Sequence, residues 1–572
     1  MRYSGFPQAC DETMKLLFLP LLFLFLAACA TPGPGAPDSH ETAPDFGSPG
    51  ETNYHLLMAE IALQRDRPGL AATEYLRAAR ASDDPEVAAR ATRVISDFGT
   101  LEEGLAAAQR WADLAPGELM PRRFLARFFL QAGEVEQAAA MLAMLRTAIE
   151  AEHVARPFLP LVPLAMEARD PRVARAAVAA VVADHPADAS GAYAHAYLAL
   201  RAGELALAEA EAHRALQLDP EWTDAALLYA RALAAAERTD EALTWLAERP
   251  EAGERIVQLE TAAMLMQADR TAEARAVLGD LLAADPADTD ALRLLGFVEY
   301  FTGETAAARE IFLALLASGD YTDDAVFYLG GIAEQAGEIE EAARLYARVE
   351  SGEHLVTAQV RLALLMYRMG RPELAINHLE LFARRNPDAV VELGAARAQL
   401  LARLGMAEDA LAVYDEILTR FPDDFGSRYA RGLLYVELDR AAEALEDFGH
   451  LVAMYPDDPT ALNALGYTLA DMTERYDQAY QLIYRALTLE PDNPAILDSM
   501  GWVLYRQGRP DEALPYIEQS WELYRDAEIA AHLGEVLWSL GRIDEAREIW
   551  LEAIVEWPGN PILLETMGRL DP

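Results

Sequence analysis

The stretch NPAILDSMGWVLYRQGRPDEALPYIEQSWELY, Asn493 to Tyr524, decides the fold, because it spells two amphipathic helices with a stop between them. Leu497, Met500, Val503 and Leu504 recur at helical spacing before Gly508. Glycine is a natural helix stop, since it adopts the left-handed conformation that closes a C-terminus without penalty. Pro510 suits the first turn of the next helix, and Glu512 complements the positive end of its dipole. In that second helix Ala513, Ile517 and Ser520 share one face and are predicted to point inward.

The same unit recurs upstream and downstream. Small residues open the middle of successive first helices at Ala196, Ala230, Ala262, Gly296, Gly330, Ala363, Ala398, Gly432, Gly466, Gly501 and Gly534, in steps of 32 to 35 residues. Twelve residues after most of them stands a second small residue, as in Ala208, Ala242, Ala308, Ala444, Ala513 and Ala546, with Ala479 displaced by one. Small facing small predicts that the two helices approach closely. Pro220, Pro286, Pro387, Pro422, Pro456, Pro491 and Pro558 stop the second helices, and Asp or Asn beside them can cap the next first helix. This pattern resembles the tetratricopeptide repeat in nearly every position. The expected fold is therefore an all-α, tetratricopeptide-type α-solenoid superhelix of about fifteen helical hairpins.

Read outward, the organisation is as follows. Residues 187–558 form the regular superhelix and 559–572 a C-terminal capping helix, which solvates the end of the array. Residues 54–149 hold degenerate hairpins, with Tyr75, Trp111 and Gly133 at repeat positions. Residues 150–186 are a hairpin interrupted by Pro157, Pro160 and Pro163, which regular helical bonding cannot accommodate. That segment reads equally well as a kink dividing two arms or as a shortened helix.

From Met14 the chain reads MKLLFLPLLFLFLAACATPGPG, with Lys15 ahead of an apolar run that is too short to span a bilayer. Residues 1–28 are expected to be a signal peptide whose true start is Met14, because Asp11 and Glu12 do not suit a basic leader. Leu26-Ala27-Ala28-Cys29 resembles a bacterial lipobox, in which the cysteine becomes the lipidated first residue, and Ala30 after it favours the outer membrane, facing the periplasm. More than one acyl chain is needed for stable anchoring. Residues 29–53, rich in Pro, Gly, Ser and Thr, are expected to form the tether. Cys10 and Cys29 are the only cysteines, so no disulfide is possible after cleavage.

The net charge of −45 repels phosphate backbones and anionic lipid surfaces, which disfavours nucleic acid and leaves the lipid anchor as the only membrane contact. Lys15 is the only lysine, so the processed chain has no lysine chemistry. The ten histidines form no HxxxH pair, and no phosphate-binding or nucleophile-elbow motif occurs. No cofactor, metal or catalytic residue is expected. What the sequence does offer is aromatic residues at positions of the first helices predicted to face a groove: Phe297, Tyr300, Phe327, Tyr367, Tyr429, Tyr467, Trp502, Tyr505 and Trp538. There they can grip a peptide or pack against the next hairpin. A partner with basic or mixed surface would be steered in by the charge.

The lipobox and linker, the opening LLMAEIALQRDRPGLAATEYLRAARASDDPEVAARATRVISDFG (Leu56 to Gly99) and the closing LNALGYTLADMTERYDQAYQLIYRALTLEPDNPAILDSMGWVLYRQGRPDEALPYIEQSWELY (Leu462 to Tyr524) together resemble one family. It is the proteobacterial tetratricopeptide outer-membrane lipoproteins that bind and activate a periplasmic carboxyl-terminal processing protease. The resemblance implies an adaptor that brings this serine protease to its substrates, enzymes cutting peptidoglycan cross-links. An assembly factor for an outer-membrane secretion or polysaccharide export complex is the alternative, and a peptidoglycan-active enzyme a more distant third. If Cys29 is the anchor, Cys29→Ser leaves the fold intact and moves the protein out of the membrane fraction or leaves it unprocessed. Unchanged fractionation with normal processing refutes that role.

Overall fold

A computed structural model describes residues 49–571. The signal segment, Cys29 and most of the expected tether lie outside them. Among the described residues there are 31 α-helices and no strand. Taken two by two in chain order they make fifteen helix–turn–helix units and one terminal helix, Pro561–Leu570, in agreement with the expected all-α solenoid. None is long and apolar enough to cross a membrane. The described chain divides into two compact units, one ending at Leu198 and the other beginning at Ala199, a border inside the helix Ala189–Arg201.

In the first unit the opening helix, Pro49–Gln64, starts within the segment expected to be tether. The Thr52 hydroxyl donates to the Ala81 carbonyl at 3.1 Å, which ties this extra turn to the end of the second helix, Pro68–Ala81. The proline-rich segment has no regular first helix. A 3-10 turn, Leu159–Leu161, and one helical turn, Val162–Ala165, take its place, followed by the regular helix Pro171–Ala183. One aromatic pins this irregular backbone: Phe158 is fully buried, with the Arg146 guanidinium 5.0 Å from its ring centre. Arg146 is itself buried and held by Glu150 at 2.8 Å and Asp188 at 3.1 Å.

In the second unit the repeat chemistry works as its residues predict. Gly508 takes φ +75°, and the Arg509 amide turns back to the Leu504 carbonyl at 3.0 Å, closing the first helix. Asp288, Asp424, Asp458, Asn493 and Asn560 each accept a backbone N–H in the first turn of the helix that follows. Ala513, Ile517 and Ser520 are fully buried.

The helix crossing differs from the small-on-small expectation. A Cβ on Gly296 would lie 2.9 Å from the Phe312 ring, on Gly330 2.9 Å from Tyr346, and on Gly432 2.6 Å from Phe448. Gly501 faces Ile517 and Gly534 faces Trp550 in the same way. The glycine receives a bulky side chain that stands one turn beyond the small residue of the second helix. That small residue still matters through its backbone, since the Ala513 carbonyl would be 3.1 Å from a Cβ on Gly501. Each of these glycine-centred hairpins is thus a bump fitted into a notch, with no room for one more methyl.

Gly432→Ala should therefore cost about 1–3 kcal/mol in chemical denaturation, the usual penalty of overpacking. Combining it with Phe448→Leu should restore part of the loss, as a favourable coupling in the double-mutant cycle. Simple additivity would show that the ring and the glycine are not each other's constraint.

Candidate functional site

Four successive first helices, Phe425–Glu437, Pro459–Met472, Pro494–Arg506 and Ala527–Ser539, share a groove of ≈ 990 Å³ with the terminal helix Pro561–Leu570. The period that builds the hairpins also sets the walls, because each first helix gives one face to its own partner helix and another to the groove.

Of the nine aromatic residues expected in a groove, Tyr429, Tyr467 and Trp502 line this one. Trp502 forms part of its floor: it is 7% exposed, stacks on the His532 ring at 4.0 Å, and donates its indole N–H to Asp471 at 3.2 Å. Tyr505 packs behind it, 5.4 Å from the Trp502 ring, and donates its hydroxyl to Glu535 at 3.1 Å. Trp538 lies outside the lining, stacked on Trp550 at 5.8 Å. Tyr300 and Phe327 line a second, smaller cavity of ≈ 290 Å³ with Tyr346, Glu334 and Arg361. Phe297 packs on Tyr328 at 4.9 Å, and Tyr367 packs against the cluster around Ala363 and Leu400. The aromatic run is divided between two cavities and the hairpin interfaces.

The groove holds a polar network that sequence reasoning missed. The Tyr467 hydroxyl donates to Glu528 at 2.5 Å, across the intervening first helix. His532 and Asp498 are both buried and meet at 2.9 Å, and Arg569 reaches Glu535 at 2.6 Å. Burial, reinforced by the nearby Glu528 and Asp471 carboxylates, pushes the Tyr467 hydroxyl well above the ordinary tyrosine range. Burial with Glu535 takes Tyr505 up to about 12. For His532 burial alone favours the neutral ring, but Asp498 beside it, with Glu528 and Asp471 further off, carries it above the ordinary histidine value. These tyrosines stay protonated donors at neutral pH and hold the wall in one arrangement. Ser499, adjacent to Asp498, donates to its own helix at Ala495 at 2.8 Å.

Leu433, Tyr524 and Ile562 also line the groove, and they are 42%, 60% and 42% exposed. They are the apolar side chains a ligand would meet first. Leu433 directly follows Gly432 and so shares the repeat position of Tyr467 and Trp502, whereas Tyr524 sits in a turn and Ile562 belongs to the cap, so no single repeat position marks the three as a set. Elsewhere in this unit Asp324, Glu353 and His354 bring three potential metal-ligand atoms within 4.8 Å of one another. Arg293 already pairs with Asp324 and approaches Glu353 at 3.8 Å, and the His354 ring stacks on Phe327 at 4.2 Å. A guanidinium stands where the cation's charge would be.

Tetratricopeptide repeat models match residues 159–221, 263–321, 298–353, 360–425 and 499–561, and related models of the same description match 398–464 and 119–144. The TPR repeat-containing protein PA4667 of Pseudomonas aeruginosa is 32% identical over 542 residues, spanning 91% of this chain and 90% of that protein. A tetratricopeptide repeat protein of known structure from Parabacteroides merdae matches at TM-score 0.36 and 17% identity, over 43% of this chain and 97% of its own. The Cut9–Hcn1 hetero-tetramer of the APC/C matches at TM-score 0.33 and 15% identity, over 91% and 96%.

The buried pair yields a pH dependence. A histidine whose folded-state value lies above its unfolded one, about 6.5, stabilises fully below that value, and the contribution is lost as pH climbs through the folded value. Resistance to urea in the C-terminal hairpins should therefore fall from pH 6 to pH 9. Asp498→Asn should flatten that slope and cost about 1.5–3 kcal/mol at pH 6, the range for a hydrogen bond to a charged group. A slope unaltered by the substitution would mean that other groups set it.

Proposed function

Because this chain belongs to the tetratricopeptide-repeat proteins, we propose that it is a lipid-anchored periplasmic adaptor acting by protein binding and not by catalysis. In this reading Cys29 holds it on the outer membrane and the C-terminal groove captures its partner. The partner is a carboxyl-terminal processing protease, which the adaptor recruits and activates toward enzymes that cut peptidoglycan cross-links.

The observation that carries the binding role is the groove itself. Four repeats and the cap converge on one cavity whose aromatic floor is fixed by stacking and by hydrogen bonds to carboxylates. A wall held in this way loses little side-chain entropy on binding, which is what a docking surface needs. The membrane address and the protease rest on the leader, the tether and the resemblance at both ends of the array.

Affinity capture on the full chain from detergent-solubilised envelopes tests the reading. A serine protease with a PDZ domain should be retained, and its cleavage of a cross-link hydrolase should rise when the purified adaptor is added. Recovery of a secretin or a polysaccharide exporter in its place would move the protein to envelope assembly. Repeated recovery of neither would refute the adaptor role.

A further inference from the structure

The walls of the C-terminal groove carry seven carboxylates, against Arg569 and His532 as their only basic groups. Even with His532 protonated, the lining keeps an excess of five negative charges. Part of this charge is used internally, by Asp498 on His532, Glu535 on Arg569, and Asp526 on the amide of Glu528. Glu437 and Glu565 are exposed and make no ion pair among the described residues.

Carboxylates of the lining are interleaved with the exposed apolar side chains. Leu433 and Glu437 stand one turn apart on the first helix of the set, and Ile562 and Glu565 one turn apart on the last. Tyr524 precedes Asp526 in the turn that leads into the helix Ala527–Ser539. Each apolar handle therefore has a carboxylate within about one helical turn. A ligand matched to this lining must alternate apolar with cationic groups along its length. It must also be long enough to pass from the helix Phe425–Glu437 to the helix Pro561–Leu570.

We infer that the C-terminal groove takes an extended basic polypeptide segment, in which Arg or Lys side chains alternate with apolar ones. The apolar side chains pack on Leu433, Tyr524 and Ile562, and the cations face Glu437, Asp526 and Glu565. Charge selects the segment and the rigid floor of Trp502 and Tyr467 orients it. This inference rests on the reading of the groove as the protein-docking surface and specifies the chemistry of what docks.

The test uses the full chain and a fluorescein-labelled peptide of six Arg-Leu pairs, with a peptide of six Glu-Leu pairs as its counterpart. The Arg-Leu peptide should bind with an affinity that falls with salt, and the Glu-Leu peptide should not bind. Glu437→Gln with Glu565→Gln should weaken binding by about five-fold, the modest loss expected from two exposed ion pairs. Glu86→Gln with Glu136→Gln removes the same charge far along the chain and should leave binding unchanged. Equal losses from both double variants would show attraction to the acidic chain as a whole and overturn the proposal. A photo-crosslinker placed at Leu433 or Tyr524 then separates two failures in cells. Crosslinked partners whose capture ignores Glu437 and Glu565 would overturn the basic segment while leaving the groove as the docking surface. No crosslink at either position would remove the groove reading itself.

Discussion

Everything in the second unit depends on how closely two helices of one hairpin can approach. Where the first helix has glycine at its centre, a ring or a branched side chain of the second lies against bare backbone, as Phe448 lies on Gly432 and Trp550 on Gly534. Dispersion contacts across such a notch are many and short-ranged, so a shift of even half an ångström forfeits much of them. The crossing is thereby fixed within each hairpin. Since a solenoid copies its local geometry from unit to unit, a fixed crossing also fixes where each first helix presents its outward face. The groove is a consequence of this repetition, and its walls inherit the precision of the notch.

The chemistry of the groove follows from the same arrangement. Polar groups that enter a crowded wall must find partners there, because burying one without a hydrogen bond is costly. Tyr467 finds Glu528, Trp502 finds Asp471 and His532 finds Asp498. Most of the wall is satisfied in this way, with the buried Asn463 Oδ1 as an exception, and its rim alternates carboxylates with apolar side chains. In the proposed docking role, binding is accordingly a matter of electrostatic selection at the edge and shape in the centre.

The repeat period, the helix stops and the caps were legible in the sequence because each is decided by residues within a few positions of one another. Gly508, Asn493 and Pro510 carry their own local reasons and act as those reasons require. Close approach at Gly501 was legible too, but not the identity of the side chain that fills it, since Ala513 and Ile517 lie on the same face one turn apart. The first turn of the opening helix was hidden because Pro49 and Gly50 read as tether, and the bond that orders it comes from Ala81. The groove was the least legible feature. A residue of a first helix can face the cavity or the next hairpin at almost the same angular position, and Trp502 and Tyr429 read alike although one is stacked beneath the wall. Leu433, Tyr524 and Ile562 converge only through the path of four repeats, which no single repeat encodes.

The bond from Tyr467 to Glu528 has a thermodynamic meaning beyond its place in the wall. In a simple array each unit feels only its immediate neighbours, and ends can fray one unit at a time. A contact that passes over a whole repeat couples units that are not adjacent, so the helix Ala527–Ser539 cannot leave without disturbing the helix Pro459–Met472. The carboxy-terminal end, which in a linear stack would be the first to melt, thereby gains a link that favours its unfolding together with the repeat two units before it. Such a link acts against fraying in the part of a solenoid where local stability is ordinarily lowest.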